Sequence, residues 1–141
     1  MERTKGFVEF LDIEITSREP GRAEGIMPIK DEYRQPFGFL HGGATITLLE
    51  TVASFASEDY ADFEKERPFG VDVHVRHRKS GKQGMLRGVA ELDHVEGNKQ
   101  FWSVVAYDDE GDVVSDGTVI TKVVTLERLA QKEREREATR K

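Results

Sequence analysis

The sequence contains no cysteine, and this absence excludes several kinds of site. A thiol nucleophile, a thiolate zinc site and a disulfide framework all require cysteine, so the fold must be held together by packing alone. A chain without cysteine also fits a reducing compartment, and we therefore expect a cytoplasmic protein.

Long apolar runs and an excess of positive charge are missing as well. No run of about 18 apolar residues occurs, and residues 1–5 do not lead into a secretory signal, so we expect no membrane partner and no export. Lysine and arginine number 21 against 27 aspartate and glutamate residues, which gives a net charge of −6. This balance argues against a nucleic-acid partner held through its phosphates.

The length and composition indicate one domain that associates with itself. A chain of 141 residues has room for a single hydrophobic core. With 37% hydrophobic and 34% charged residues, that core is thin for a free-standing monomer. Association of two copies would enlarge the core, so we expect a homodimer.

The middle of the chain has the pattern of a buried helix. Over 42–60, apolar residues recur at spacings of three and four. They are Ala44, Leu48, Leu49, Val52, Ala53, Phe55 and Ala56. Three threonines in this segment lower its intrinsic helix propensity, so burial has to stabilise the helix. The sequence therefore predicts a central helix.

Strand patterns occur on both sides of this helix. Val71, Val73 and Val75 alternate with polar residues, a two-residue period that is typical of a strand. Further strands are predicted over 21–29, 85–95, 100–108 and 113–125, separated by glycine-containing turns. We expect the four strands that follow the helix to form an antiparallel meander.

The two ends of the chain are less regular. Residues 7–15 mix helical and strand spacings, so a short helix leading into a strand is one interpretation. Residues 127–141 are mostly glutamate, arginine and lysine. They are predicted to form a charged C-terminal extension, helical or frayed, outside a domain that spans residues 1–126.

These elements together predict an α+β domain, in which a long central helix is wrapped by a curved antiparallel β-sheet. Such a sheet keeps a free edge. Pairing of that edge between two copies would cover the exposed backbone and enlarge the core. We therefore predict a dimer with a shared sheet.

Two adjacent glycines, Gly42 and Gly43, stand where the central helix begins. A plain helix cap does not require both of them. The unpaired N–H groups of the first helical turn, at the positive end of the helix dipole, can bind an anion or an oxygen that becomes negative during a reaction. A permissive loop that needs positive φ is the alternative interpretation.

Glu50 is unusual in a helix stretch that is otherwise apolar or small. A carboxylate at this place has to be paired, face a cavity or titrate at a raised pH. Ser54 projects four residues later from nearly the same helix face, so both groups could hold one water molecule. A Glu50 side chain that simply faces solvent is the alternative.

A basic cluster over 74–82 contains the remaining candidates. Within an acidic protein it is a local positive patch that suits the phosphates of a small ligand, although an exposed strand end would look the same. His41 and His74 match no established metal-ligand spacing with Glu50, so no metal is expected. The sequence also lacks a serine nucleophile elbow, a phosphate-binding loop and a dinucleotide fingerprint.

The segment from Gln35 through His41, Gly42 and Gly43, followed by Glu50 and Ser54, resembles the hotdog-fold acyl-CoA thioesterases. The similarity is to the branch that holds the phenylacetate-pathway and Arthrobacter-type 4-hydroxybenzoyl-CoA enzymes, and it extends over about residues 21–125. It implies hydrolysis of an acyl-CoA thioester without a cofactor. It also implies active sites shared between the subunits of a homodimer, with dimers often paired into tetramers.

The resemblance implies catalytic roles for five residues. Glu50 would be the catalytic carboxylate, acting as general base on water or as nucleophile on the thioester carbonyl. The backbone N–H of Gly42 would polarise that carbonyl. Gln35 and His41 would line the surroundings of the reacting group, and Ser54 would orient water or the carboxylate.

The resemblance also implies substrate contacts. Gly43 would lie beside the reacting group, and His74 would border the acyl pocket. Arg76, Arg78 and Lys79 would contact the phosphates of coenzyme A.

Two other functions are compatible with the same fold. A non-catalytic acyl-CoA binding or sensing domain would have no reason to keep Glu50 at its place. A hotdog dehydratase would need a histidine and an acidic partner arranged for a hydroxyacyl chain, and Gly42 with Glu50 suits hydrolysis better.

Overall fold

A computed structural model describes residues 6–140, and residues 1–5, on which the expectation about export rests, lie outside the described part. In chain order the elements are α1 (Phe7–Phe10), β1 (Glu14–Glu19), β2 (Arg22–Pro28), α2 (Gly42–Ala56), β3 (Glu66–His77), β4 (Met85–Glu96), β5 (Lys99–Tyr107), β6 (Val113–Thr125) and α3 (Leu126–Thr139). Short 3-10 helices cover Asp31–Tyr33 and Ser57–Tyr60. The predicted helix and strands are confirmed, and the last predicted turn of the central helix is 3-10.

The structure shows which secondary structure forms in the two regions, 7–15 and 127–140, for which the sequence left alternatives open. A single helical turn, α1, leads into strand β1, and the charged extension is the helix α3. Thr125 caps α3, because its side chain accepts the N–H of Arg128 at 3.0 Å. Among residues 6–140, no helix combines the length and the hydropathy that are needed to cross a bilayer.

The six strands form one antiparallel sheet in the order β1-β2-β4-β5-β6-β3. The predicted meander is correct for β4, β5 and β6 but wrong for β3, which pairs with β6 and lies at the edge of the sheet. The other side of β4 is occupied by β2. The segment 78–84 carries the chain across to β4, and the N–H groups of Arg78 and Lys79 both donate to the carbonyl of Val114.

The sheet curves around α2, which lies against its inner face. Register shifts occur in the pairings of β1, β3, β4 and β5, and such bulges bend and twist a sheet. Eight of the fifteen residues of α2 are buried. Of the seven apolar residues predicted to face the core, only Phe55 is not in this buried set. The prediction of a central helix wrapped by a curved sheet is therefore confirmed.

Two glycines allow α2 to approach the sheet closely. A Cβ atom at Gly25 of β2 would lie 2.9 Å from Val52, and one at Gly88 of β4 would lie 3.0 Å from Leu48. Any larger side chain at these two positions would push the helix away from the sheet. The position of α2, and with it the position of its N-terminus, therefore depends on small residues in the strands.

A buried polar network fixes the other end of α2 to the sheet. Thr121 Oγ1 accepts a hydrogen bond from Trp102 Nε1 at 2.9 Å and donates to Gln100 Oε1 at 2.9 Å. The Ser57 hydroxyl contacts the same oxygen and donates to the carbonyl of Ala53 at 2.8 Å. All these side chains are buried, so their polar groups cannot reach water. Each group depends on the others for its hydrogen bonds, and the network is satisfied only as a unit.

Replacing Thr121 with valine should destabilise the fold, because the Trp102 N–H and the Gln100 amide oxygen would lose a buried partner. We expect Thr121→Val to lower the free energy of unfolding by about 1–3 kcal/mol. Chemical denaturation measures this loss. Thr118→Val is the matched control, since Thr118 lies on the same strand with an exposed side chain, and it should change stability by less than about 0.5 kcal/mol. Equal effects of the two substitutions would contradict the role of the network.

Candidate active site

A cavity of about 300 Å³ opens at the N-terminus of α2. Its walls come from the loop before the helix, the first turn of the helix, the end of β3 and the segment that follows β3. The lining residues are Gln35, Phe39, Leu40, Gly42, Thr45, His77, Arg78, Lys79, Ser80, Gly81 and Val114. Four residues singled out by the sequence, Gln35, Gly42, Arg78 and Lys79, therefore meet at one cavity.

The first turn of α2 leaves one backbone donor free. His41 is the N-cap, and its Nδ1 accepts the N–H of Gly43 at 2.9 Å. The N–H of Ala44 donates to the His41 carbonyl at 3.0 Å. Among residues 6–140, no acceptor faces the N–H of Gly42. A free N–H at the positive end of a fifteen-residue helix can stabilise negative charge in the cavity.

Gln35 shapes the loop that forms one wall of the cavity. Its Oε1 accepts the N–H groups of Phe37 at 2.6 Å and Phe39 at 3.2 Å. Two backbone donors can only be satisfied by the amide oxygen, so the Nε2 group is the free end of the side chain. No acceptor within the described part of the chain pairs with this Nε2, which leaves a second donor available at the cavity.

His77 also belongs to the cavity, although the sequence pattern indicated it only as part of the basic cluster. Its ring lies against the helix start, since a Cβ atom at Gly42 would be 2.5 Å from His77 Nε2. Its Nδ1 lies 2.7 Å from the hydroxyl oxygen of Ser115. The alternation of Val73 and Val75, extended by one period, places residue 77 on the inner face. That extension is the sequence signal that would have identified it.

Glu50 lies two turns further along α2 and does not line the cavity. Its carboxylate packs against β3, where a Cβ atom at Gly70 would be 2.9 Å from Glu50 Oε2. The side chain is half-buried, and within residues 6–140 no group donates a hydrogen bond to it. Ser54, one turn later, is also half-buried. A single chain therefore keeps its own Glu50 apart from its own Gly42.

His74 and Arg76 lie on the opposite, outer face of β3. They line a separate depression together with Asp116, Gly117 and Thr118. The side chain of His74 is 77% exposed, and its Nε2 lies 2.9 Å from Asp72 Oδ1. Within one chain the structure does not bring these two residues to the cavity at the helix start.

The two basic residues at the cavity have acidic partners. Arg78 pairs with Asp116 at 3.1 Å. Lys79 lies 2.7 Å from Asp108 and 2.8 Å from Asp112, with Glu110 at 3.8 Å. The hydrogen bond from Lys79 lowers the pKa of the Asp108 carboxyl, and the same bond raises the pKa of Lys79. These three carboxylates form a cluster with metal-ligand spacing, but the Lys79 ammonium already neutralises part of their charge.

The family of the chain follows from its sequence. A family profile described as the Thioesterase superfamily matches residues 37–115. The chain belongs to this superfamily. The matched segment begins in the loop before α2 and ends at Ser115, so it contains the helix start, Glu50 and His77.

Relatives in the superfamily are named for thioester cleavage. The chain is 30% identical over 117 residues to the 1,4-dihydroxy-2-naphthoyl-CoA hydrolase of Escherichia coli, a match that covers 83% of this chain and 85% of that protein. It is 36% identical over 104 residues to the proofreading thioesterase EntH of Cronobacter turicensis, with 74% and 75% covered. Our protein is accordingly a thioester hydrolase of the superfamily.

Solved structures of superfamily members share the fold. Two variants of SAV0944 from Staphylococcus aureus are 30% and 29% identical to this chain, with TM-scores of 0.82 and 0.80. The second of them is described as a thioesterase enzyme. The matches cover 84% and 82% of this chain and 98% and 96% of theirs. One variant replaces a glutamate with alanine, and the other a glutamine fifteen positions earlier. The sheet wrapped around α2 is the hotdog fold.

The free N–H of Gly42 is testable because proline is tolerated at the first position of a helix. Gly42→Pro removes the N–H, whereas Gly42→Ala keeps it, and both variants add the same Cβ atom, which displaces the His77 ring equally. We expect kcat for thioester hydrolysis to fall at least about 100-fold more in Gly42→Pro than in Gly42→Ala. Steady-state kinetics of both variants, with circular dichroism to verify folding, measures the difference. Similar rates for the two folded variants would exclude this N–H as a catalytic donor.

Proposed function

We propose that the protein hydrolyses an acyl-CoA thioester to the free acid and coenzyme A. The observation that carries this proposal is the N–H of Gly42, which has no acceptor within the described residues and faces a cavity. Thioester hydrolysis builds negative charge on the carbonyl oxygen. A fixed donor at that oxygen can lower the barrier by about 3 kcal/mol.

Glu50 is the proposed catalytic carboxylate. Its half-buried oxygens have no donor partner within residues 6–140 and are free to accept a proton or to attack a carbonyl carbon. The separation between Gln35 and Glu50 is the same fifteen positions that separate the glutamine and the glutamate altered in SAV0944. This agreement supports the choice of both residues.

The proposed site needs two copies of the chain. Gly42 and Glu50 are eight positions apart on one helix, or about 12 Å along its axis, so the carboxylate must come from a second copy. The edge strand β3 is the surface on which that copy would pair. It is twelve residues long and exposes Phe69 and Val71, which are 40% and 51% accessible. A long apolar edge of this kind favours pairing with another chain.

The symmetry of such a pairing supports a shared site. If two β3 strands pair antiparallel about His74, residues of the same face lie opposite each other, and the register shift between Gly70 and Asp72 brings residues 70–71 of one copy opposite His77 of the other. Gly70 is where Glu50 packs, and His77 is where the helix start with Gly42 packs. The same pairing therefore brings the carboxylate of each copy toward the donor of the other and creates two equivalent sites.

In the proposed reaction a water molecule attacks the carbonyl carbon and gives a proton to Glu50. The carbonyl electrons move to the oxygen, which the Gly42 N–H stabilises. The carbon–sulfur bond then breaks, its electrons stay on sulfur, and the proton from Glu50 goes to the leaving thiolate. In the nucleophilic alternative, Glu50 attacks the carbonyl carbon, and the carbon–sulfur bond breaks so that coenzyme A leaves as the thiolate. Water then cleaves the resulting anhydride, which releases the acid, restores the Glu50 carboxylate and supplies a proton to the thiolate.

Three further residues support these groups in the proposal. The free Nε2 of Gln35 offers a donor at the cavity wall. His41 holds the first turn of the helix by capping Gly43, which leaves the neighbouring N–H free for the substrate. Ser54 offers a hydroxyl one turn after Glu50, where it would orient water or the carboxylate.

The positive charges near the cavity are the proposed contacts for coenzyme A. Arg78 lines the cavity and is half exposed, and it pairs with a single carboxylate. Arg76 has no acidic partner within residues 6–140. Lys79 is the weaker candidate for a phosphate contact, because Asp108 and Asp112 already hold its ammonium group. We keep His74 as a proposed neighbour of the acyl group.

The proposed acyl group is aromatic, in keeping with the phenylacetate-pathway and Arthrobacter-type branch that the sequence resembles. The naphthoyl-CoA substrate in the name of the Escherichia coli relative supports this class. Cytoplasmic location and the pairing of dimers into a tetramer are parts of the same proposal.

Replacement of Glu50 tests whether its carboxylate is the catalytic base or nucleophile. Glu50→Gln keeps the size of the side chain but removes its basicity and its nucleophilicity, so we expect kcat with an aromatic acyl-CoA to fall at least about 100-fold. Thiol release measures the rate. Glu64→Gln is the control, because Glu64 is exposed in the loop before β3, and it should retain wild-type kcat.

Two outcomes would contradict the proposal. Unchanged turnover by a folded Glu50→Gln variant would exclude this carboxylate, and intact aromatic, short and long acyl-CoA substrates in the presence of the wild-type protein would exclude the reaction. Single-turnover hydrolysis in ¹⁸O-labelled water can identify an anhydride route. The acid released in the first turnover contains the label if Glu50 acts as a base, and also if water attacks the acyl carbon of an anhydride. Unlabelled acid, with the label in Glu50, is expected only if water attacks the Glu50 carbon of an anhydride.

A further inference from the structure

The hydroxyl of Ser115 contacts the cavity only through His77. The two residues are cross-strand neighbours in the pairing of β3 with β6. Ser115 is fully buried, and its Oγ lies 2.7 Å from His77 Nδ1. Within residues 6–140 this nitrogen is the only hydrogen-bond partner recorded for the hydroxyl.

Burial decides the direction of this hydrogen bond. If His77 Nδ1 carried a proton and donated it to Ser115, the hydroxyl proton would be buried without an acceptor, which is unfavourable. If Ser115 donates to an unprotonated Nδ1, both groups are satisfied. A neutral histidine with a bare Nδ1 carries its proton on Nε2.

The Nε2 atom lies at the helix start. Nε2 is the ring atom nearest to the Cβ position of Gly42, at 2.5 Å, and no acceptor within the described part of the chain pairs with it. His77 and Gly42 therefore line the same cavity, with Nε2 close to Gly42.

We propose that Ser115 is a positioning residue, which holds His77 in the tautomer and orientation that present an Nε2–H donor beside the Gly42 N–H. The pair of donors faces the place where the thioester oxygen becomes negative, so this inference rests on the proposed function. Ser115 itself touches no substrate atom. It acts by fixing the ring, much as an outer partner orients a metal-bound or catalytic histidine.

Nitrogen NMR tests the proposal without any turnover. The chain has four histidines, and long-range proton–nitrogen spectra report the protonation of each ring nitrogen. At about pH 8, above the ordinary histidine pKa, wild-type His77 should show a protonated Nε2 and a bare, hydrogen-bonded Nδ1. In Ser115→Ala the hydrogen-bond shift of Nδ1 should disappear, and a second tautomer should become populated. A protonated Nδ1 in the wild-type protein would overturn the proposal even if the variant failed to fold.

Kinetics provides a second readout. We expect Ser115→Ala to lower kcat about 3–10-fold with little change in KM, and Ser115→Thr, which keeps the hydroxyl, to recover most of the loss. In a His77→Gln background, the side chain at position 77 offers an amide NH2 donor, which does not depend on a histidine tautomer. There, Ser115→Ala should change kcat less than about twofold. An equal loss in both backgrounds would mean that Ser115 acts on stability alone.

The two proposals fail in different ways. If the wild-type protein hydrolyses no acyl-CoA but shows the expected ring protonation, the proposed function is wrong and the hydrogen bond is correct. If the protein is active and Ser115→Ala retains full kcat, the positioning role is wrong and the proposed function stands.

Discussion

One rigid helix carries both groups that the proposed reaction needs, and it keeps them apart. Gly42 and Glu50 are eight positions apart in α2, which separates them by about 12 Å along the axis. The helix cannot bend enough to bring them together, because eight of its residues are buried against the sheet. Every other part of the account follows from this constraint: the carboxylate of one copy has to meet the helix start of another.

The fold provides the means for that meeting. Glycines in β2 and β4 let α2 lie close to the inner face of the sheet, which fixes where its first turn ends up. The edge strand β3 touches the helix at both critical places, with Gly70 against Glu50 and His77 against Gly42. A second copy paired along β3 would therefore complete two sites at once, and the thin core of a 141-residue chain would gain buried surface from the same contact.

Local patterns in the sequence predicted where the helices and strands lie, but they did not predict which strands pair with each other. The spacing of apolar residues over 42–60 predicted α2, and the alternation of Val71, Val73 and Val75 predicted β3. The pairing of β3 with β6 was missed, because a two-residue period specifies a strand and not its partner. His77 and Ser115 depend on that pairing. Their contact joins residues 38 positions apart, so only the register of the sheet reveals it.

The most direct test of the account is complementation between two variants that are each inactive. Glu50→Gln leaves the helix start intact, and Gly42→Pro leaves the carboxylate intact. When equal amounts of the two are unfolded together and refolded, half of the dimers are mixed, and each mixed dimer has one site with both groups native. A site shared between two copies should restore about a quarter of wild-type activity. A mixture no more active than its components, with mixed dimers verified by mass spectrometry, would contradict a shared site.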